Sequence, residues 1–328
     1  MHKLISHTLA LLALTGVTAL TAAPSLAQTY PTKPMRMITG YAPGGTSDIL
    51  ARLVAQELSK SLGETMFVEN KPGAGGNTGS DMVAKAAPDG YTLLMGASGP
   101  LAYNKYLYST MPYDPVKDLA PIAMVAAVPL VLVVHPSIPV NSVKELIDYC
   151  RKNAIQCNYA SAGNGTPQHL SAELFKSIVG NLDMTHIPYK GTGPAVSDLL
   201  GGQVKVAFET TIALLAHIKA GKLKALAVTS AKRSATLPDV PTMQESGVAG
   251  YESVAWYGMA APAATPKDII AKLNTETNRI LKSPAVAKRL ADLGSDPVSG
   301  SPEEFATWIR NESAKWEKII NAVKIKLD

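Results

Sequence analysis

The 328-residue sequence lacks most of the features that announce a membrane protein, a metalloprotein or a common enzyme. Beyond an apolar stretch near its start, no run is long and apolar enough to cross a bilayer as a helix. There are only two cysteines, Cys150 and Cys157, and no histidine or second cysteine pair stands near them, which argues against a zinc site. No run of Lys or Arg is dense enough for a nucleic-acid or membrane patch, and the net charge is only +5, or +4 once Lys3 is removed. So small a positive field helps an acidic small molecule arrive, but it also occurs in proteins with no anionic ligand. Catalytic signatures are missing too. Tyr159-Ala160-Ser161-Ala162-Gly163 lacks the first glycine of a nucleophile elbow, Gly96-Ala97-Ser98-Gly99-Pro100 lacks its spacing, and there is no Walker lysine or HExxH motif. Gly163-Asn164-Gly165-Thr166-Pro167-Gln168, with Asp183 further on, comes nearest to a dinucleotide fingerprint. Gln168 replaces its third glycine and Pro167 disturbs the turn.

What is present begins with a leader. Lys3, the apolar stretch Leu4 to Leu20 and then Ser25-Leu26-Ala27 form a signal peptide over residues 1–27, with cleavage expected after Ala27. The stretch is broken by Ser6, His7, Thr8, Thr15, Gly16 and Thr18, and no cysteine at the junction offers a lipid anchor. The mature chain is therefore expected outside the cytoplasm, where a short disulfide between Cys150, at the end of a helix, and Cys157, at the start of the next strand, suits the compartment. About 300 mature residues exceed what one hydrophobic core usually serves, so two lobes are expected.

The chain is organised around Tyr41 to Asp48, YAPGGTSD. Met35, Met37 and Ile38 precede it as a buried strand, and Leu50, Leu53, Val54, Leu58 and Leu62 follow on one face of a helix. Pro43 stiffens this strand-to-helix turn, Gly44 and Gly45 allow close backbone approach, and Thr46 or Ser47 is placed to cap a helix whose free N–H groups suit an anion. A second glycine-rich turn covers Asn70 to Gly79, and a third strand, Tyr91 to Gly96, ends at Ala97-Ser98. Strand and helix alternate again after the long extended run Leu119 to Val134, with turns at Ser161 to His169 and Pro188 to Pro194. A second extended run, Tyr251 to Ala261, leads to helices near Pro266 to Leu281, Pro284 to Leu293 and Pro302 to Val323. The pattern predicts an α/β protein with parallel βα units and two hinge crossings: lobe 1 from 28–125 and 255–328, lobe 2 from 126–254.

Several side chains could serve a site at the strand ends. Ser161, Thr166, Gln168 and Thr192 are neutral donors beside helix N-termini, and the Thr166 hydroxyl could cap its helix and still donate to a ligand. His169, one step inside the helix, reads better as an imidazole capping a neighbouring strand than as a ligand contact. Asp48 either bridges to Arg52 four residues on or fixes the loop and accepts from a ligand, and Glu209, after a strand, faces the same choice. Trp256 and Tyr257 line the cleft or pack in the core.

Together, YAPGGTSDILAR, VENKPGAGGNTG, PDGYTLLMG, HIPYKGTGPAVSDLLGGQV, LPDVPT and WYGMAAPAATP resemble the Bug family of periplasmic solute-binding proteins, receptors of tripartite tricarboxylate transporters. The resemblance covers essentially the whole mature chain. It implies a two-lobed Venus flytrap, no catalysis, no cofactor and no metal, and a monomer that holds a small organic mono- or dicarboxylate and passes it to membrane transporter subunits. Ligand contacts implied by motif are Tyr41, Pro43, Gly44, Gly45, Thr46 and Asp48 in the first loop, Ala97 and Ser98 after the third strand, and Ser161, Gly163, Thr166, Gln168 and His169 in lobe 2. The family often has Phe where Tyr41 stands and Asp where Glu209 stands, so selectivity is not copied from any one member. The alternatives are a ligand-sensing adaptor for a signalling kinase and a secreted hydrolase using Ser98 or Ser161 with His169 or His186.

Overall fold

In the computed structural model, which describes residues 30–153, 157–180 and 182–327, one sixteen-residue strand belongs to two sheets and joins the two halves of the protein. The leader read over residues 1–27 lies outside the described residues.

The first half opens with β1 (Met35–Thr39), α1 (Thr46–Leu62), β2 (Met66–Asn70), α2 (Asn77–Ala84) and β3 (Thr92–Ala97), and β1 lies parallel between β2 and β3. A helical turn over Gly99–Tyr103 and the short α3 (Asn104–Leu107) lead to the long strand, β4 (Leu119–Val134). The second half repeats the pattern with α4 (Val143–Lys152), β5 (Tyr159–Ser161), α5 (Pro167–Ile178), β6 (His186–Pro188), α6 (Thr192–Leu200), β7 (Val206–Thr210), α7 (Thr211–Lys219) and β8 (Lys224–Val228). The chain then returns through β9 (Val254–Pro262), α8 (Lys267–Leu281), α9 (Pro284–Asp292), β10 (Asp296–Pro297) and α10 (Pro302–Val323).

β4 is apolar almost throughout, because its residues are covered in whichever sheet they occupy. Leu119 to Pro129 pair antiparallel with β9, whereas Leu130 to Val134 lie between β7 and β8. Pro129, with no N–H to give a ladder, is the last residue paired with β9. At the changeover Leu130 N donates to Thr229 Oγ1 (2.9 Å), Thr229 N donates to Leu130 O (2.9 Å) and Ser253 N donates to Thr229 O (3.0 Å). These bonds tie the outgoing and returning strands together where the sheets meet.

The apolar stripe of α1 is buried as its spacing predicts at Leu50, Leu53, Val54 and Leu58, and Gly63 closes the helix in the left-handed conformation (φ 79°). Trp256 and Tyr257, adjacent on β9, point to opposite faces: Trp256 packs edge-on against Phe305 in the core, while Tyr257 faces the gap between the halves. Two helices start earlier than hydropathy suggests. α5 begins at Pro167, a residue suited to the first helical position, and α6 begins at Thr192. Gln168, His169 and Thr192 are thus first-turn residues of helices.

Cys150, at the end of α4, and Cys157 are joined by a disulfide with a Cα–Cα distance of 5.3 Å. Closing so short a loop contributes about 2–3 kcal/mol on the chain-entropy account. Intact mass after alkylation without reductant should show no modified thiols. The Cys150→Ala/Cys157→Ala protein should unfold at lower denaturant by about that free energy, and two freely alkylated thiols in the exported protein would contradict the pairing.

Candidate functional site

The turn between β1 and α1 is held by a carboxylate. Asp48 Oδ2 accepts from Gly44 N and Arg52 Nε at 3.0 Å each, and Oδ1 accepts from Asn70 Nδ2 at 3.0 Å. Burial pushes this carboxyl up, but the bonds from Arg52, Gly44 and Asn70 outweigh it and hold it below the ordinary carboxylate range. Asp48 therefore makes the Arg52 bridge and fixes the loop at once. The expected hydroxyl cap is absent: the N-cap is Gly45, with no side-chain hydrogen bond. Tertiary partners have taken the hydroxyls, since Thr46 Oγ1 bonds Thr210 Oγ1, and Ser47 Oγ bonds Thr39 Oγ1 (2.6 Å) and Met95 O (3.2 Å).

The N-termini of α1, α5 and α6 converge on a nearly closed cavity of about 10 Å³ between the halves, room for about one water, lined by Tyr41, Gly45, Thr46, Ser47, Ala97, Ala162, Pro167, Gln168, Thr192 and Tyr257. No Lys, Arg or His lines it. Of the sequence candidates, Tyr41, Gly45, Thr46, Ala97 and Gln168 reach its wall, whereas Pro43, Gly44, Asp48, Ser98, Ser161, Gly163, Thr166, His169 and Glu209 stand behind or beside it. A larger cleft of about 260 Å³ shares Tyr41 and Ala162 with it and adds Gly163, Lys190, Tyr108 and the turn Gly73 to Gly76. The Tyr41 hydroxyl is already engaged, donating to Gly75 O at 2.8 Å.

The halves are shut on one another, largely backbone against backbone. Ala42 N donates to Lys190 O (3.0 Å) and Tyr108 Oη to Asn164 O (2.9 Å). A Cβ added at Gly193 would fall 2.6 Å from Pro43 O, and one at Gly75 would fall 2.0 Å from Asn164 O, so glycine is what lets the two surfaces meet.

In lobe 2 the expected donors mostly bond each other. Thr166 caps α5 by accepting from His169 N, but its proton goes to Gly163 O (2.7 Å) and is not free for a ligand. Gln168 Nε2 donates to Glu209 Oε1 (2.7 Å) and Thr192 Oγ1 (3.3 Å). Glu209 Oε1 also accepts from Thr210 N (2.7 Å) and Thr210 Oγ1 (3.1 Å). Burial pushes the Glu209 carboxyl up, and the bonds from Gln168, Thr210 and Thr192 oppose that rise. Thr210 was not a sequence candidate. Its only signal was its place after Glu209 at a strand end.

The two imidazoles form a stack, His169 on His186 at 4.1 Å and His186 on Tyr159 at 4.9 Å. His169 Nδ1 accepts from Gly165 N (3.2 Å), a bond within its own turn. Ser161 Oγ lies 2.6 Å from His186 Nε2, which resembles a nucleophile and its base, but Ser161 is buried and also bonds Gly163. Burial, with help from His169, pushes His186 down to about 3, too low for a base at neutral pH. Ser98 bonds Tyr103 Oη instead of an imidazole.

Burial likewise pushes His169 down to about 4, aided by Lys176. Both rings are neutral when folded and bind protons more readily unfolded, so this stability is complete above pH 6.5 and is lost as pH falls toward 4. The unfolding free energy from denaturant titrations should drop between pH 6.5 and 4 by about 1.4 kcal/mol per pH unit for each ring. The slope should be about halved in His186→Phe, and an equal slope in that variant would contradict this origin.

A family model described as "Tripartite tricarboxylate transporter family receptor" matches residues 50–325. The chain is 41% identical to Protein BugT of Bordetella pertussis over 321 residues, 97% of this chain and 98% of that protein. Among solved structures, R. palustris Rpa4515 with adipate matches at a TM-score of 0.88 with 38% identity, covering 90% of this chain and 99% of the other. The periplasmic binding protein BugD matches at 0.87 with 38% identity, over 90% and 99% of the two chains. The fold is thus the two-lobed α/β fold of periplasmic binding proteins, and the chain is a binding receptor, not an enzyme. It belongs to the tripartite tricarboxylate transporter family of receptors.

Proposed function

We propose that this protein captures a small organic mono- or dicarboxylate between its lobes in the periplasm and delivers it, as a monomer, to the membrane subunits of a tripartite transporter. The observation that carries this reading is the convergence of three helix N-termini on one cavity with no cationic side chain in its wall. Free N–H groups and aligned peptide dipoles attract an anion there without the desolvation cost of a buried lysine or arginine. Adipate bound in Rpa4515 supports the ligand class, and BugD, described as periplasmic, supports the compartment. The leader is cleaved after Ala27, and lobe 1 (28–125 and 255–328) closes on lobe 2 (126–254) about the junction of β4, Thr229 and Ser253.

In this reading the backbone at Gly45, Thr46, Gln168 and Thr192 holds the carboxylate, and Tyr41, Ala97 and Tyr257 form the walls. Pro43, Gly44, Asp48, Ser98, Ser161, Gly163, Thr166 and His169 keep the frame. About four charge-assisted hydrogen bonds, at roughly 1.5–3 kcal/mol each, leave affinity near or somewhat tighter than micromolar after closure and ordering costs.

A thermal-shift screen of mono- and dicarboxylates tests this, since a ligand at one hundred times its Kd adds about 2.7 kcal/mol. Failure of every carboxylate to stabilise the protein would remove the proposal. Gly193→Ala is the companion variant. In the first turn of α6 alanine suits the helix at least as well as glycine, but its Cβ would meet Pro43 O across the closed lobes. The unliganded variant should be at least as stable as wild type and bind at least tenfold more weakly; undiminished affinity would contradict closure on the ligand.

A further inference from the structure

The cavity wall has a hydrogen-bond polarity that its residue names do not reveal, and Glu209 sets it. Resting on the carboxylate reading above, we propose that Glu209 is a specificity-determining residue: it draws the side-chain protons of the site toward itself, so that the cavity selects carboxylates that also carry a hydrogen-bond donor, a hydroxyl or an amino group.

The argument follows the protons. Gln168 is 2% exposed and its Nε2 gives one hydrogen to Glu209 Oε1 at 2.7 Å and the other to Thr192 Oγ1 at 3.3 Å. This fixes the amide, because turning it over would set its oxygen against the Glu209 carboxylate. Its own oxygen, Oε1, is buried with no hydrogen-bond partner, and Gln168 lines the cavity. A buried amide oxygen left unpaired costs free energy until something donates to it. Thr210 repeats the pattern. Its hydroxyl donates to Glu209 Oε1 at 3.1 Å, and in its short bond with Thr46 it must then accept. The Thr46 proton is therefore committed to Thr210, and its oxygen also meets the Tyr257 hydroxyl, so Thr46 has no proton to give a ligand and Gln168 Oε1 is the unpartnered acceptor.

The site is thereby divided. Backbone N–H groups at the helix starts are donors and suit a carboxylate, while Gln168 Oε1 is an acceptor and suits a hydroxyl or ammonium. A ligand lacking that second group leaves Gln168 Oε1 unpaired. A site built to bond a substrate hydroxyl rejects the analogue without it more strongly than an apolar pocket discriminates by shape. Glu209, behind the wall, exerts this through Gln168 and Thr210.

Calorimetry on the intact mature protein, with acids that differ only by one hydroxyl, tests the assignment: propionate and lactate, succinate and malate, phenylacetate and mandelate. In whichever pair binds, wild type should favour the hydroxy acid at least tenfold. Gln168→Leu, which removes the acceptor, should bring the pair within about threefold, mainly by weakening the hydroxy acid. Glu209→Gln, which can donate as well as accept, should narrow the preference similarly. Should Glu209→Gln fail to fold, the wild-type preference and Gln168→Leu still decide. Equal binding of both members by wild type, or a full preference kept in Gln168→Leu, would overturn the role of this network while leaving carboxylate capture intact. Binding of neither these acids nor any other carboxylate would overturn the capture reading and this one with it.

Discussion

An anion brought between two protein lobes loses much of its hydration, and the surface that receives it must replace those interactions. In the site proposed above no Lys, Arg or His lines the cavity, so the burden is assigned to backbone N–H groups at the starts of α1, α5 and α6. Much of the surrounding structure follows from that choice. The turn before α1 must present its backbone, so Asp48 faces inward to tie Gly44, Arg52 and Asn70 together. The hydroxyls of Thr46 and Ser47 bond distant strands, and the α1 terminus carries no side-chain cap.

A site formed from two helix starts in one lobe and one in the other works only if the lobes can come together closely. Glycine provides that approach at Gly75 and Gly193, where a Cβ would strike the opposite backbone. β4 provides the continuity, running through both sheets and changing partners beside Pro129, with Thr229 and Ser253 fastening the return. The stacked imidazoles His169 and His186 pack behind the lobe 2 helix start, and burial holds both neutral. Glu209, like Asp48, is kept behind the wall, where it orders Gln168 and Thr210.

The framework of this arrangement was legible in the sequence because it rests on local rules. The stripe Leu50, Leu53, Val54 and Leu58 announces α1, the alternation of short apolar runs with helices announces βα units, and the proline-broken run from Leu119 announces the crossing. Tyr41, Gly45, Thr46, Ala97 and Gln168 all reach the cavity wall. What local rules could not supply was where each hydroxyl sends its proton. Thr46 in a first turn reads as a cap, but its partner is 164 residues away. Thr166 does cap, yet its proton is taken by Gly163 O. Thr210 and the His169–His186 stack depend on strands meeting in space, which spacing along the chain does not encode.

The central claim is that backbone amides at helix starts, not side-chain charges, hold the carboxylate. Amide proton and nitrogen shifts of the labelled protein, followed while a carboxylate found by the screen is titrated in, address it directly. The account predicts that the amide protons of Gly45, Thr46, Gln168 and Thr192 move together to lower field as hydrogen bonds to the anion form, in step with calorimetric saturation. Saturable binding that leaves these four unmoved, and shifts amides beside surface lysines or arginines instead, would contradict it.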